Sequence, residues 1–217
     1  ELGKNYRTEL ALQANVCETL DVLLPLLRSR IDTKYKEQAQ IRAKALEQQN
    51  WAVTRNKLTT QVLTQSSMRP MSASTFVMHI TNQLTPDVIV VEEALTSTQS
   101  LPQYLHQHYP DSFFGLASGG LGFAIPGAVG VSMAKPGRPV VAIVGDGSAM
   151  YTIQSLWTMA RENLDITVII CNNQKYNILE LEFVRTGANN EKPGPKAADM
   201  LDIGRPDMDF VEIANGM

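Results

Sequence analysis

Three short apolar runs stand out in the second half of the chain, at residues 87–93 (DVIVVEE), 140–144 (VVAIV) and 166–171 (ITVIIC). Their length and their content of Val and Ile predict buried β-strands. Between the last two runs, residues 149–162 space their apolar side chains as a helix does. The apolar positions of this helix are Ile153, Leu156, Trp157 and Ala160. A strand–helix–strand order at this spacing predicts an α/β fold with a parallel sheet flanked by helices.

The first third of the chain has a different pattern. Residues 6–15 predict a short strand, and Val16 to Arg30 an amphipathic helix. Residues 32–59 predict a charged helix with few apolar positions, as in a helix at the surface or between domains. Residues 65–74 are rich in Ser, which favours a linker. We therefore expect a helical segment to precede the α/β domain, which also includes a helix at residues 75–84.

The composition excludes several classes of function. Hydrophobic residues make up 44% and charged residues 19%, enough for a folded core. The net charge is −3 without a basic run, so neither nucleic acid nor a membrane surface is an expected partner. No apolar stretch approaches the roughly 20 residues of a membrane span. The two cysteines, Cys17 and Cys171, are far apart, which favours a reducing, cytoplasmic location. The three histidines lack metal-ligand spacing.

Polar residues follow two of the predicted strands directly. Asp146 lies between Gly145 and Gly147 after the strand at 140–144, and Asn172 and Asn173 follow the strand at 166–171. If these strands are neighbours, the carboxylate and the amide oxygen converge at one edge of the sheet. Mg²⁺ prefers such oxygen ligands and keeps positions open for phosphate. The alternative is a capped turn and an ordinary loop amide.

The residues around Asp146 favour an anion as well as a metal. Gly145 and Gly147 allow a close approach of the backbone to a ligand. Ser148 is expected to begin the next helix and to cap it, so that free N–H groups face the same point. The sequence therefore predicts a site for a metal that holds a phosphate group.

A dinucleotide site is an alternative for the glycine-rich stretch at residues 117–130. Gly120 and Gly122 form GxG, and Asp146 follows Gly122 by 24 residues, after a strand. Against this alternative, Ile125 occupies the place of the third glycine, and no strand is predicted before the stretch.

The paired motif GDGS and Asn-Asn resembles the signature of thiamine diphosphate enzymes. The nearest group comprises acetolactate synthase, benzoylformate decarboxylase and pyruvate decarboxylase. The resemblance covers residues 88–217 and implies the thiamine diphosphate-binding fold for residues 66–217. It implies that residues 1–65 are the C-terminal part of a middle domain and a helical linker. We accordingly expect a fragment of a longer polypeptide, truncated near the C-terminus of this domain.

The resemblance also assigns site residues. Asp146, the Asn173 side chain and the Lys175 carbonyl are implied as ligands of Mg²⁺. Gly119 would accept from the aminopyrimidine of thiamine diphosphate, and Leu121 would force the cofactor into a bent shape. The remaining cofactor contacts are implied at Thr96, Ser97, Gly120, Gly145, Gly147, Ser148, Tyr176 and Ile178.

The implied activity is decarboxylation of a 2-oxo acid, with ligation of the resulting carbanion to a second carbonyl in an acetolactate synthase-like enzyme. The alternatives are a benzoylformate or other 2-oxo acid decarboxylase, and a non-catalytic cofactor-binding module. The activating glutamate is expected outside this chain, on a missing N-terminal domain, so the fragment alone is expected to be inactive. A homodimer or homotetramer is implied. FAD binding by the full-length protein stays open.

Overall fold

The computed structural model describes residues 7–217, which form two compact units. The first unit ends at Thr54 and the second is Arg55–Met217. In the first unit, α1 (Val16–Arg30) has the predicted bounds. The predicted charged helix is two helices, α2 (Thr33–Glu47) and α3 (Trp51–Leu63), because the chain turns at residues 48–50. The strand predicted at 6–15 is wrong for residues 7–15, which are irregular, and Tyr6 lies outside the described residues.

The second unit alternates strands and helices after the end of α3. Its helices and strands are, in order, α4 (Ala73–Thr81), β1 (Ile89–Glu93), α5 (Leu101–Tyr104), β2 (Phe113–Gly115), α6 (Ala124–Ala134), β3 (Val140–Gly145), α7 (Asp146–Thr152), α8 (Ser155–Arg161), β4 (Ile166–Cys171), α9 (Asn177–Thr186), α10 (Pro195–Leu201) and α11 (Phe210–Asn215). Short 3₁₀ turns lie at Leu95–Ser97 and Ala188–Glu191. The last two residues of the segment predicted as a linker, 65–74, belong to α4, because the Ser72 hydroxyl accepts the Thr75 N–H and caps the helix.

The four strands form one parallel sheet in the order β2-β1-β3-β4. Ile89 pairs with Val140, and Gly145 pairs with Cys171. The predicted α/β architecture is therefore confirmed. Strand β2 was not predicted, because three residues (FFG) are too few to show a periodicity. It lies before the glycine-rich stretch, so the expectation that no strand precedes that stretch is wrong.

Alternate residues of the strands pack on the two faces of the sheet. Val90, Val141 and Ile143 face α4 and α5, whereas Ile89, Val91 and Ala142 face α6 and α8. The predicted helix at 149–162 is two helices, with a break at Ile153 and Gln154. The break shifts the apolar face, so that Met159 is buried while Trp157 is half exposed.

Arg138 forms hydrogen bonds that link the loops at the N-terminal edge of the sheet, the edge opposite the predicted site. Its guanidinium donates to the carbonyls of Asp87 (2.8 Å) and Pro110 (3.4 Å) and to the hydroxyl of Ser112 (3.0 Å). These bonds join the segments that enter β1, β2 and β3. In the part of the chain that the structure describes, no helix has the length and hydrophobicity needed to cross a membrane.

Candidate cofactor site

The carboxyl ends of β1 and β3 and the loop after β4 enclose a small cavity of about 50 Å³. It brings together ten of the predicted site residues. These are Thr96, Ser97, Gly145, Asp146, Gly147, Ser148, Asn173, Lys175, Tyr176 and Ile178. Because β3 and β4 are neighbours, the two polar motifs meet at one edge of the sheet, as their spacing predicted.

Asp146 is the first residue of α7 and is only 3% exposed. Its Oδ1 accepts the Gly147 N–H at 2.8 Å, and its Oδ2 accepts the Gln174 N–H at 2.6 Å. A carboxylate has about four acceptor positions, so two such bonds orient it and leave capacity for a cation. The second bond also ties the end of β3 to the loop after β4.

The loop of residues 172–176 is held on its other side as well. Gln174 has a left-handed backbone (φ 59°), and its carbonyl accepts the Ile203 N–H at 3.0 Å. The Tyr176 N–H donates to the Leu201 carbonyl at 2.9 Å. The Asn173 side chain accepts only the Lys175 N–H, at 3.2 Å, among the bonds of the described residues. This loop is therefore fixed while the Asn173 amide oxygen keeps acceptor capacity.

Lys175 contributes its backbone to the cavity rather than its charge. Its ammonium group pairs with Glu180 at 2.6 Å, and its carbonyl accepts the Asn177 N–H at 2.9 Å. A carbonyl oxygen has two lone pairs, so one is left for a cation. One carboxylate, one amide oxygen and one carbonyl form a hard-oxygen donor set that suits Mg²⁺. The set contains a single acidic side chain, and the described residues hold no cluster of three or more His, Cys, Asp or Glu positioned to bind a metal.

The backbone of Gly147 packs closely against the ring of Tyr176. A Cβ at this position would lie 2.9 Å from Cδ1 of Tyr176 and still closer to Cε1. Any larger residue would displace the tyrosine ring. The expectation that Ser148 caps the helix is wrong, because α7 begins two residues earlier, at Asp146, and no side chain caps it. Ser148 instead lies in the first turn, buried and lining the cavity.

Comparison with known proteins identifies the domain that carries this cavity. Residues 96–217, more than half of the chain, match the family described as "Thiamine pyrophosphate enzyme, C-terminal TPP binding domain". The chain belongs to this family. The observed sheet and helices are therefore those of a thiamine pyrophosphate-binding domain, and the dinucleotide alternative is not supported.

Named relatives agree with this assignment. The chain is 52% identical over 129 residues to "Putative acetolactate synthase large subunit IlvX" of Mycobacterium tuberculosis, covering 59% of this chain and 25% of the relative. It is 37% identical over 141 residues to benzoylformate decarboxylase of Pseudomonas aeruginosa, covering 64% and 25%. The thiamine diphosphate-dependent 4-hydroxybenzoylformate decarboxylase of Rhodococcus jostii RHA1 superposes with a TM-score of 0.60 at 31% identity, covering 67% and 26%. The chain spans about a quarter of the length of these relatives.

Thr96 and Ser97 lie in the turn after β1, at the cavity wall of the thiamine pyrophosphate-binding domain. Glu92 supports this turn, since its Oε1 accepts the Ala94 N–H at 2.8 Å and the Thr98 hydroxyl. The turn is thus placed by a side chain of the strand that precedes it.

The other three predicted residues are not in the cavity. Gly119, Gly120 and Leu121 lie on the loop between β2 and α6, and all three are exposed. A Cβ added at Gly119 would meet nothing within 4 Å. This loop follows a strand of the same parallel sheet, so it lies at the same edge as the cavity. Their roles toward the cofactor stay predictions.

Sequence reasoning missed Glu93, the last residue of β1. It is fully buried and lines the cavity, and its two carboxylate oxygens accept the N–H groups of Gly122 and Ala124, each at 2.6 Å. The sequence contains one signal of this burial. Side chains alternate between the faces of a strand, so Glu93 falls on the same face as Ile89 and Val91, where a charged residue is unusual.

Cys171 ends β4 beside the site, and its thiol is protonated at neutral pH. Burial raises the pKa of this thiol to about 11, with a smaller contribution from the charges of Asp146 and Glu92 and an opposing hydrogen bond from Ser97. A nucleophilic cysteine has a lowered pKa instead. The thiol therefore packs at the site as a neutral group.

Proposed function

We propose that this chain binds thiamine diphosphate through Mg²⁺ held by Asp146, the Asn173 side chain and the Lys175 carbonyl. The observation that carries the proposal is the bond from the Gln174 N–H to Asp146 Oδ2. It places the loop that contains Asn173 and Lys175 against the carboxylate that follows β3. Family membership supports the cofactor, and the chemistry of the three oxygen donors supports Mg²⁺.

In this proposal the other cavity residues bind and orient the diphosphate. Gly147 allows the backbone to approach it, Ser148 offers a hydroxyl, and Thr96 and Ser97 contact it from the turn after β1. Tyr176 and Ile178 line the start of α9 beside it. Gly119, Gly120 and Leu121 hold the thiamine half, with Leu121 setting the bent shape of the cofactor.

The proposed reaction is decarboxylation of a 2-oxo acid. When bound, thiamine diphosphate supplies the nucleophilic carbon and the electron sink for this chemistry. The chain's residues bind the cofactor and keep it in one orientation. No described residue is assigned to proton transfer, so we propose that a glutamate outside these 217 residues activates the cofactor and that the chain alone does not turn over.

We favour an acetolactate synthase-like lyase or transferase that ligates the product to a second carbonyl. The 52% identity to the relative named for that activity supports this choice. A benzoylformate decarboxylase is the second candidate, supported by the names of the Pseudomonas relative and the Rhodococcus structure. We propose a homo-oligomeric, cytoplasmic protein; FAD binding follows only if the full-length protein is acetolactate synthase-like.

Calorimetric titration of thiamine diphosphate tests the proposal. We expect binding to the chain with Mg²⁺, no binding with EDTA, and none to Asp146→Ala with Mg²⁺. Asp165→Ala is the matched control, because Asp165 is exposed and precedes β4 at the opposite edge of the sheet. Binding that persists in EDTA or in Asp146→Ala would contradict the proposed metal ligand, and a wild-type chain that does not bind would contradict the proposal itself.

A further inference from the structure

We propose that Glu93 is a positioning residue that holds the glycine-rich loop, residues 116–123, in place for the thiamine half of the cofactor. This inference rests on the function proposed above. It concerns the loop between β2 and α6 rather than the metal or the diphosphate, and so it gives Glu93 a role different from those proposed for the other residues of the cavity.

Glu93 lies where a charge needs strong compensation. It ends β1, one of the two interior strands, shares a strand face with Ile89 and Val91, and is 0% exposed. Burying an ionised carboxylate is costly unless charge-assisted hydrogen bonds stabilise it. Among the described residues no cation pairs with Glu93; its partners are the backbone N–H groups of Gly122 and Ala124. The carboxylate therefore binds the loop at the point where it enters α6.

Gly122 is fixed from a second side. Its carbonyl accepts the hydroxyl of Thr152 at 2.9 Å, and its backbone is left-handed (φ 87°). A Cβ at this position would lie 2.8 Å from the Cβ of Tyr151. Thr152 ends α7, the helix that begins at Asp146. The loop is thus anchored both to β1 through Glu93 and to the metal-side helix through Thr152.

The rest of the loop has no comparable anchor. Residues 117–121 are exposed, and no hydrogen bond of the described residues to a distant element holds Gly119, Gly120 or Leu121. Their position therefore depends on the fixed point at Gly122. Because the backbone of Glu93 also lies beside Gly145, a single residue connects the diphosphate half of the site with the loop.

Two ligands separate the halves of the site in one experiment. Mg²⁺-pyrophosphate occupies only the diphosphate half, whereas Mg²⁺-thiamine diphosphate occupies both. Glu93→Gln keeps the size of the side chain, but one carboxylate oxygen becomes an NH₂ group, which cannot accept a hydrogen bond from a backbone N–H. One of the two bonds to Gly122 and Ala124 is therefore lost. We expect the Kd for thiamine diphosphate to rise about tenfold or more, which corresponds to about 1.4 kcal/mol. The Kd for pyrophosphate should stay unchanged or fall, because a negative charge has been removed.

Two further variants complete the experiment: one tests the second anchor of the loop, and the other controls for an effect on folding. Thr152→Val removes the second anchor without changing the shape of the side chain, and we expect a smaller loss in the same direction. Ser112→Ala removes a buried hydroxyl that accepts from Arg138 and donates to the Tyr109 carbonyl, at the opposite edge of the sheet. It should change neither Kd. Hydrogen exchange measured without ligand should accelerate about tenfold at the Gly122 and Ala124 amides in Glu93→Gln only.

The outcomes are distinct. A loss confined to thiamine diphosphate, with faster exchange at the two amides, supports the positioning role. An equal loss for both ligands, or no loss for either, overturns this inference and leaves the proposed function standing. A wild-type chain that binds neither ligand overturns the proposed function, and this inference with it.

Discussion

Asp146 Oδ2 accepts the Gln174 N–H at 2.6 Å, and this bond joins the residues that follow two neighbouring strands. The bond determines the orientation of the carboxylate before any ligand binds, since Oδ1 is also engaged by Gly147. A preoriented carboxylate does not lose side-chain rotamer freedom when it binds a cation. This preorientation supports the proposed role of Asp146 as a metal ligand.

The contact between Gly147 and Tyr176 predicts a steric effect on binding. Gly147→Ala places a methyl group against the tyrosine ring, so the ring must move. We expect a loss of about 1–3 kcal/mol in the free energy of unfolding, and weaker binding of thiamine diphosphate. Urea unfolding and calorimetry measure the two effects.

Gly130→Ala is the matched control for that change. Gly130 lies within α6, and a Cβ there meets nothing within 4 Å. Removing a glycine from a helix should raise the free energy of unfolding by about 0.5–1 kcal/mol. Gly147→Ala with wild-type stability and wild-type affinity would show that the tyrosine ring is not fixed against Gly147.

We expect a substitution of Leu121 to weaken the binding of thiamine diphosphate without changing the stability of the chain. Its side chain is 40% exposed, so Leu121→Ala should change the free energy of unfolding by less than about 0.5 kcal/mol. If Leu121 contacts the bent cofactor, the affinity for thiamine diphosphate should nevertheless fall several-fold while that for pyrophosphate stays constant. Met133→Ala, at a 63% exposed position on α6, should change neither. Unchanged affinity in Leu121→Ala would refute the assigned contact.

The raised pKa of Cys171 predicts slow alkylation. With a pKa of about 11, the thiol stays protonated at neutral pH and its thiolate appears only as the pH rises toward that value. At pH 8 its thiolate fraction should be about 200-fold below that of an ordinary cysteine. Labelling with iodoacetamide, followed by mass spectrometry, should modify the exposed Cys17 first. In urea the two rates should converge, and equal rates in the folded chain would contradict the prediction.

We expect a substitution of Arg138 to lower the stability of the chain without changing the affinity for thiamine diphosphate. Arg138→Ala removes the bonds to Asp87, Pro110 and Ser112, and we expect a loss of about 1–3 kcal/mol in the free energy of unfolding. Thiamine diphosphate affinity should not change, because Arg138 lies at the opposite edge of the sheet. Lys135→Ala breaks only an exposed ion pair with Asp111 and should cost less than about 1 kcal/mol. A weaker affinity in Arg138→Ala would show that the two edges are coupled.

The strands, and the meeting of Asp146 and Asn173 at one edge of the sheet, could be predicted because their signals are local. The apolar runs show β1, β3 and β4, and the motifs that follow β3 and β4 place Asp146 and Asn173 at one edge once the strands are adjacent. The boundaries of α7 and α8 were harder, since the break at Ile153 and Gln154 contains neither Gly nor Pro. The expectation that Ser148 caps the helix was wrong because the helix starts two residues earlier, at Asp146.

The burial of Glu93 has a local signal in the alternation of β1, but its hydrogen-bond partners have none. Its partners Gly122 and Ala124 lie 29 and 31 residues away, and the glutamate reads as the polar end of a strand. Strand β2 was missed because only its pairing with β1, and not its three residues, makes it a strand. Both cases depend on contacts between distant segments, which a pattern of polar and apolar positions does not contain.

The strand order has a consequence for how the protein emerges from the ribosome. Strand β1 is made first but pairs with β2 and β3, and the partner of Asp146, Gln174, is made after all of them. A nascent chain that ends before Gln174 carries the aspartate with only its local bond to Gly147. Long-range pairing of this kind slows folding and prolongs the exposure of apolar strands. The candidate site is therefore completed late in translation, after the strands that carry it.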